Sequence, residues 1–417
     1  MTWLRHVVAA VLLGITATGS TSAAQVPGSP GAEISVQLLT MGQGDELFER
    51  FGHNAIWISN TRTGADVAWN WGLFDFKQPG FVGRFLTGNT RYWMDGFDAF
   101  QTLRSYEARN RAVVAQELLL GTAQRAQLNE FLRWNARPEN KFYQYDYFLD
   151  NCSTRLRDAL DMVVGGAIKR QTQGVGSGTT FRSHTQRLLE DMPLTYAGIT
   201  IALGQPADRE ISVWEEMFLP VRLRARLSRI TIDSGGGAIV SMVRSERLAV
   251  EATRTPEREV AGSYERYFLG AGVALGALLL VTGMARHPVP RFAFATLSVT
   301  WLAVGGIIGL ILALAWGVTR HVFWYRNENL FLLNPLLLVL AVLIPLAMRR
   351  SASERARRIT WLLAAVVAGL SVLAVVVKAL PWFFQHNWEV IALVLPAHVA
   401  LAVVMWKKAT SRSAIGT

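Results

Sequence analysis

Five long apolar stretches crowd the C-terminal third of the chain, at about residues 263–285, 292–317, 329–348, 360–380 and 388–406. Each is close to the roughly 20 residues that cross a bilayer as a helix. The spacing predicts an all-α bundle of five transmembrane helices over 263–406, with a short tail at 407–417. Upstream the pattern turns periodic. "ISVQLLTM" alternates and predicts a strand. "HNAIWISN" and "DVAWNWGLFDF" flank "TRTGA" and predict a hairpin. "AQRAQLNEFLRWNARPEN" carries Leu128, Phe131, Leu132 and Trp134 at helical spacing and stops at Pro138. "CSTRLRDALDMVV" places Leu156, Leu160 and Val163 on one helical face, with Asp150 or Asn151 as the N-cap. "QTQGVGSGTT" (171–180) reads as a flexible loop. Residues 25–262 therefore read as one α+β domain of ordinary size.

The first residues change the picture of where that domain lies. Arg5 and His6 precede the apolar run "VVAAVLLGI", and "TSAAQ" supplies small residues for cleavage after Ala24. Residues 1–24 thus read as a signal peptide. The alternative is an uncleaved anchor, for which the run is short. Either one exports the α+β domain. Charge then sets the topology. The net charge is +11, and "ARHPVPR", "RRSASERARR" and "KKATSRS" hold ten Lys or Arg, against three in "TRHVFWYRNEN" and "KALPWFFQHNW". The positive-inside rule puts the ten in the cytoplasm, the C-terminus with them, and the N-terminal domain outside. The same placement accounts for the basic excess and argues against nucleic acid as a partner. The outer loops are rich in Trp and Phe, as interfacial belts are. Asn327, Asn329 and Asn334 lie at or in the third span and His398 in the fifth. Polar groups there are costly; they serve function or bond helix to helix, and Asn334 is the candidate for contact with substrate.

The chain has a single cysteine, Cys152, in "DNCSTR". Structural cysteines in exported proteins usually come in pairs, so an unpaired thiol asks for another explanation. A buried Cys acting as a small hydrophobe is one. The start of a helix is a better setting for a nucleophile, because free amides and the helix dipole favour a thiolate there. The amide of Cys152 would also help form an oxyanion hole. Asn151 and Arg155 flank the sulfur as substrate-binding candidates, and Arg157 adds charge.

A nucleophilic thiol needs a base. Of seven histidines, only His53 and His184 fall in the exported domain clear of the signal peptide. His184 follows the loop, where a surface role suffices. His53 opens a strand in "FGHNAIWIS", so it is the candidate base. A third group should orient its ring. Folding the hairpin about residue 63 brings His53 opposite Leu73 to Phe74, which makes Asp75 the nearest acid and first choice, and Asn70 the nearest amide. A slip of one residue flips the face. Histidines and cysteines are too few and scattered for a zinc site, and no cofactor is called for.

His first and Cys about 100 residues later, with Asn directly before Cys, resembles the circularly permuted branch of the NlpC-like superfamily, to which lecithin:retinol acyltransferase belongs. The resemblance implies a permuted papain-like Cys–His core. The chain departs after the Cys, with Ser153–Thr154 where that enzyme family has Glu–His. "FGHNAIWI", "YDYFLDNCSTR" and "WEEMFLP" together look like the DUF4105, or Lnb-type, N-terminal periplasmic domain, and "NENLFLLNPLLL" resembles the signature of that family's membrane part. Carried over, the catalytic Cys is Cys152 and the catalytic His is His53. The resemblance implies acyl transfer from a phospholipid donor, through a thioester on Cys152, to the N-terminal amine of a bacterial lipoprotein acceptor. The rival is a membrane-tethered cysteine peptidase or amidase acting on cell-wall peptides with the same pair. A non-enzymatic envelope scaffold is the third reading.

Overall fold

A computed structural model describes residues 28–410 apart from 256 and 261. The signal-peptide reading of 1–24 and most of the tail lie outside the described residues. The N-terminal domain is built on a seven-stranded antiparallel sheet. Its strands are β1 (Ile34–Met41), β2 (His53–Asn60), β3 (Ala65–Leu73), β4 (Arg91–Asp98), β5 (Val113–Leu118), β6 (Phe142–Gln144) and a last strand, Val243–Val250. In space they run last strand, β5, β1, β2, β3, β4, β6. The alternation read from the sequence sorts the side chains between two cores. Val36, Leu38, Ile56 and Ile58 face one way, where they meet α3 (Thr122–Asn135) and α4 (Cys152–Val163). Leu39, Met41, Ala55 and Trp57 face the other, against Ala99 of α2 (Ala99–Glu107). A sheet covered on both faces holds its strands rigidly, which suits a site on their ends.

The β2–β3 hairpin closes tighter than the sequence reading. Asn60 Oδ1 accepts the amides of Arg62 and Thr63, so pairing starts at Asn60–Ala65 and runs to Ile56–Trp69, where it stops. Continued, that register would set His53 level with Gly72 rather than Leu73 or Phe74. The strands instead part beyond Ile56 and Trp69, and β3 is irregular between Asn70 and Leu73. The first turn of α4 meets the sheet at this gap, where Gly72 touches Cys152. Residues 171–180 are not a loop throughout. They include the end of a helix and a strand, Gly176–Thr180, paired with Glu210–Ser212.

Among the described residues five helices long and apolar enough to span a bilayer follow, within Glu265–Met284, Pro288–Val318, Glu328–Ala347, Glu354–Ala379 and Trp388–Thr410. The third is not one continuous helix. Its α-helical part, Leu336–Ala347, has 12 residues, about 18 Å at 1.5 Å per residue, short of the roughly 30 Å apolar core of a bilayer. A 3-10 turn, Glu328–Phe331, and the Asn334–Pro335 step complete it. Irregular backbone at such depth must be covered by protein. Asn327 and Asn329 supply the cover by donating to the carbonyls of Ile201 and Ala202 in the N-terminal domain. Gln385 donates to Leu203 O, and Tyr196 to Glu389. The domain is thus seated on the bundle through buried polar contacts.

Candidate active site

Cys152 is the first residue of α4, and Asn151 caps that helix. Asn151 Oδ1 accepts the amides of Ser153 (2.9 Å) and Thr154 (3.0 Å). Its amide nitrogen donates to Tyr147 O and Phe218 O, both at 3.0 Å. Asn151, a substrate-binding candidate from sequence, thus spends both ends of its side chain inside the protein. The cap leaves the amide of Cys152 outside its reach, as expected for the first position of a helix. Ser153 Oγ sits between Met217 O (2.8 Å) and Asn54 Oδ1 (3.0 Å). The "WEEMFLP" segment is therefore the support of the nucleophile helix, through its Met217 and Phe218 carbonyls. Its Glu216 is buried beside His184 (3.3 Å) and Arg226 (2.8 Å). Burial alone would raise Glu216, but hydrogen bonds from His184 and Arg226 outweigh it and hold its carboxyl at about 2.

His53 opens β2, and its Nε2 lies 3.0 Å from Asn70 Oδ1. The amide oxygen accepts, so Nε2 carries the proton and Nδ1 is left as the base. Asn70 is itself buried and held by a bond from Nδ2 to Ala68 O. The orienting group is thus Asn70, the amide alternative. Asp75, the first choice from sequence, lies in an exposed turn beyond the end of β3, where its carboxylate accepts the amide of Lys77 at 2.8 Å. Asn54, next to His53, accepts the Ser153 hydroxyl at its side-chain oxygen (3.0 Å), which ties the first turn of α4 to β2. That contact joins the two ends of the site across the gap between β2 and β3.

The electrostatics differ from the sequence expectation of a thiolate. Burial pushes the Cys152 thiol up to about 11, although the amides of Asn54 and Ser153 and its own favour the charged form. Burial also holds His53 down at about 4, against the Asn70 hydrogen bond that raises it and with the Arg111 guanidinium lowering it further. Partial burial penalises both ions, and a helix terminus offers only about 1 kcal/mol in return. The resting pair is neutral thiol and neutral imidazole between those values. Alkylation of Cys152 by iodoacetamide should therefore climb about tenfold per pH unit from pH 6 to 9, since only the thiolate reacts. A plateau over that range would reveal an ion pair instead.

The other sequence candidates are placed apart from the sulfur or already engaged. Arg155 forms an ion pair with Asp150 and lies over the Tyr143 ring at 4.3 Å. Arg157 is buried over Trp214 at 3.7 Å. Asn334 lies in the membrane bundle, packed against Gly309, with its Oδ1 buried and without a hydrogen-bond partner. His184, read as a surface residue, is 1 % exposed. It accepts from Arg187 at Nδ1 and bonds Thr179 Oγ1 at Nε2, so it locks the Glu216 cluster and belongs to the support, not the surface. Among the described residues no group of His, Cys, Asp and Glu is placed to hold a metal.

Sequence reasoning missed the tyrosines. Tyr143, Tyr145 and Tyr147 recur every second residue, which on an extended chain places them on one side. The hydroxyls of Tyr143 and Tyr145 are held well above their ordinary value, first by burial and then by the neighbouring sulfur of Cys152. They stay protonated.

An Asn70 variant tests the orienting role. Asn70→Ala should lower turnover about 10²-fold with little change in KM, because the ring loses its alignment while substrate contacts stay. Asn70→Asp sets a carboxylate beside the ring, raises the His53 pKa, and should move the acid limb of the rate profile to higher pH.

Comparison with known proteins finds two family matches and no others. The Lnb N-terminal periplasmic domain matches residues 29–190, a span holding His53, Asn70 and Cys152, and the Lnb transmembrane domain matches residues 271–381. No curated protein and no solved structure matches the chain. Both halves are thus recognised by models of one family, in the order in which the fold presents them, and the chain belongs to the Lnb family as a periplasmic domain joined to a five-helix membrane region.

Proposed function

We propose that this protein is a thiol acyltransferase of the bacterial inner membrane, with its C-terminus in the cytoplasm. It would move a fatty acyl chain from a phospholipid to the N-terminal amine of a lipoprotein. One observation carries the reading. A cysteine at a helix start is tied through its neighbour Ser153 to Asn54, next to a histidine oriented by Asn70, in a domain seated on a membrane bundle. This is a papain-type arrangement with the His ahead of the Cys, as in permuted NlpC-like enzymes.

The chemistry follows from a neutral pair. His53 Nδ1 takes the thiol proton as the sulfur attacks the ester carbonyl of the phospholipid. The oxyanion faces the amides of Cys152 and Asn54. The glycerol oxygen leaves with the proton from His53, which frees a lysophospholipid and leaves a thioester. The lipoprotein amine then attacks the thioester, its proton passes to His53, and the thiol is restored. Two modest barriers replace one high one. The sulfur is partly buried, which limits access of water and favours transfer over hydrolysis. Both proposed substrates reside in the leaflet beside the domain.

The test is intact mass of the detergent-purified protein after incubation with phospholipid. A gain of one acyl group, removed by hydroxylamine and followed by transfer to a diacylated lipopeptide, is the expected result. Cleavage of peptidoglycan fragments without any acyl adduct would replace this reading with a peptidase.

A further inference from the structure

A run of aromatic rings leads from the sulfur to the membrane surface. Tyr145 stacks on Tyr92 with centroids 4.1 Å apart, and Tyr92 lies 5.0 Å from Phe74. Phe74 stacks on Phe81 at 6.1 Å, and Phe81 on Phe85 at 6.2 Å. Phe85 ends the run against His321 at 6.4 Å. The run is tied to the nucleophile through Phe74, two residues from Gly72, where a β-carbon would stand 3.3 Å from that of Cys152.

The outer end is tied to the bilayer. Phe81–Thr87 forms a short helix, α1. Its last carbonyls bond the residues that directly follow the second spanning helix, Pro288–Val318. The Arg320 amide donates to Thr87 O at 2.9 Å, and His321 Nε2 donates to Phe85 O at 2.9 Å. Chain that leaves a spanning helix lies at the headgroup boundary, so α1 is held there too. Val82 is 68 % exposed and Leu86 62 %, with Phe76 at 65 % close by. A soluble surface rarely gathers such a patch without a partner. An amphipathic helix at a bilayer surface buries an apolar face of this kind.

We propose that α1 is immersed in the outer leaflet and that the aromatic run from Phe85 to Tyr145 binds a lipid acyl chain on its way to Cys152. The inference deepens the acyltransferase reading and rests on it for the purpose of the path. The occupant is an acyl chain of a bilayer lipid, because the run is aromatic, begins beside the spanning helices and ends near a partly buried thiol.

The experiment needs no turnover. Full-length Cys152→Ala protein is placed in nanodiscs of phosphatidylethanolamine and phosphatidylglycerol that contain a phospholipid with a diazirine in its acyl chain. After illumination, cross-linked peptides are mapped by mass spectrometry. The expected result is adducts within residues 73–88 as well as on the spanning helices. In the Val82→Asp–Leu86→Asp variant the ratio of the first to the second should fall at least fivefold. Adducts confined to the spanning helices, or an unchanged ratio in the variant, would overturn the proposal. Because the cysteine is already absent, the outcome is independent of whether wild type forms a thioester. Cross-links at 73–88 with no acyl loading of wild type would count against the acyltransferase reading alone.

Discussion

Cys152→Ala carries no acyl group after incubation with phospholipid, and transfer to a lipopeptide falls to background: this is the largest effect expected. The substitution should leave the fold intact. Alanine is the best helix former at the first position of α4, the Asn151 cap does not use the sulfur, and the β-carbon that packs on Gly72 is retained. The loss is then chemical, and a matched melting temperature for the variant checks it. His53→Ala should cost about 10²–10⁴-fold, the usual worth of a positioned base. Its residual rate should recover at high pH as the Cys152 thiol, held near 11, begins to ionise without help. Because nucleophile and base act as a unit, the double variant should be little worse than Cys152→Ala alone. A Cys152→Ala protein that still transfers acyl chains would end the thioester mechanism.

Gly72→Ala is expected to cripple the site from a residue with no chemistry of its own. Gly72 has φ +87, a left-handed conformation, and a β-carbon there would stand 3.3 Å from the Cys152 β-carbon and 3.8 Å from its amide nitrogen. Strain of that kind costs about 1–2 kcal/mol. The contact adds a push of tenths of an ångström on the nucleophile, and misplacement of about 1 Å is worth up to 10²-fold in rate. Both stability and acyl loading should fall. Gly64→Ala separates the two causes. Gly64 has φ +71 in the β2–β3 turn but open space around it, so it should lower the melting temperature and leave acyl loading within twofold. Equal loading in the two variants would show that Gly72 is merely strained backbone.

The pair proposed as nucleophile and base stands out because each residue sits at a local signal. Cys152 follows a capping residue and His53 opens an apolar strand. The spans were legible by length and composition, since a bilayer demands a continuous apolar run and little else. The break in the third span was marked by Asn334–Pro335, but hydropathy averages across it. The orienting amide was less accessible. Asp75 and Asn70 were separated only by register, and register depended on how Asn60 tightened a turn that the sequence left loose. Once the turn closed, Asp75 ran past the end of β3 and Asn70 reached the ring.

Charge state lay still further from the sequence. Spacing alone suggested a thiolate, since a helix start and two arginines favour one. The fold engaged Arg155 with Asp150, set Arg157 over Trp214, and partly buried the sulfur. Residue identity therefore determined which groups are candidates to react and how many helices are long and apolar enough to cross a bilayer, because those depend on chemistry and length counted along the chain. Tertiary structure decided which amide holds His53, that burial disfavours the charged forms of Cys152 and His53, and that a run of stacked rings reaches from Tyr145 to His321. Those depend on register, burial and the meeting of segments more than 200 residues apart, Phe85 with His321 among them, and no local pattern carries that information.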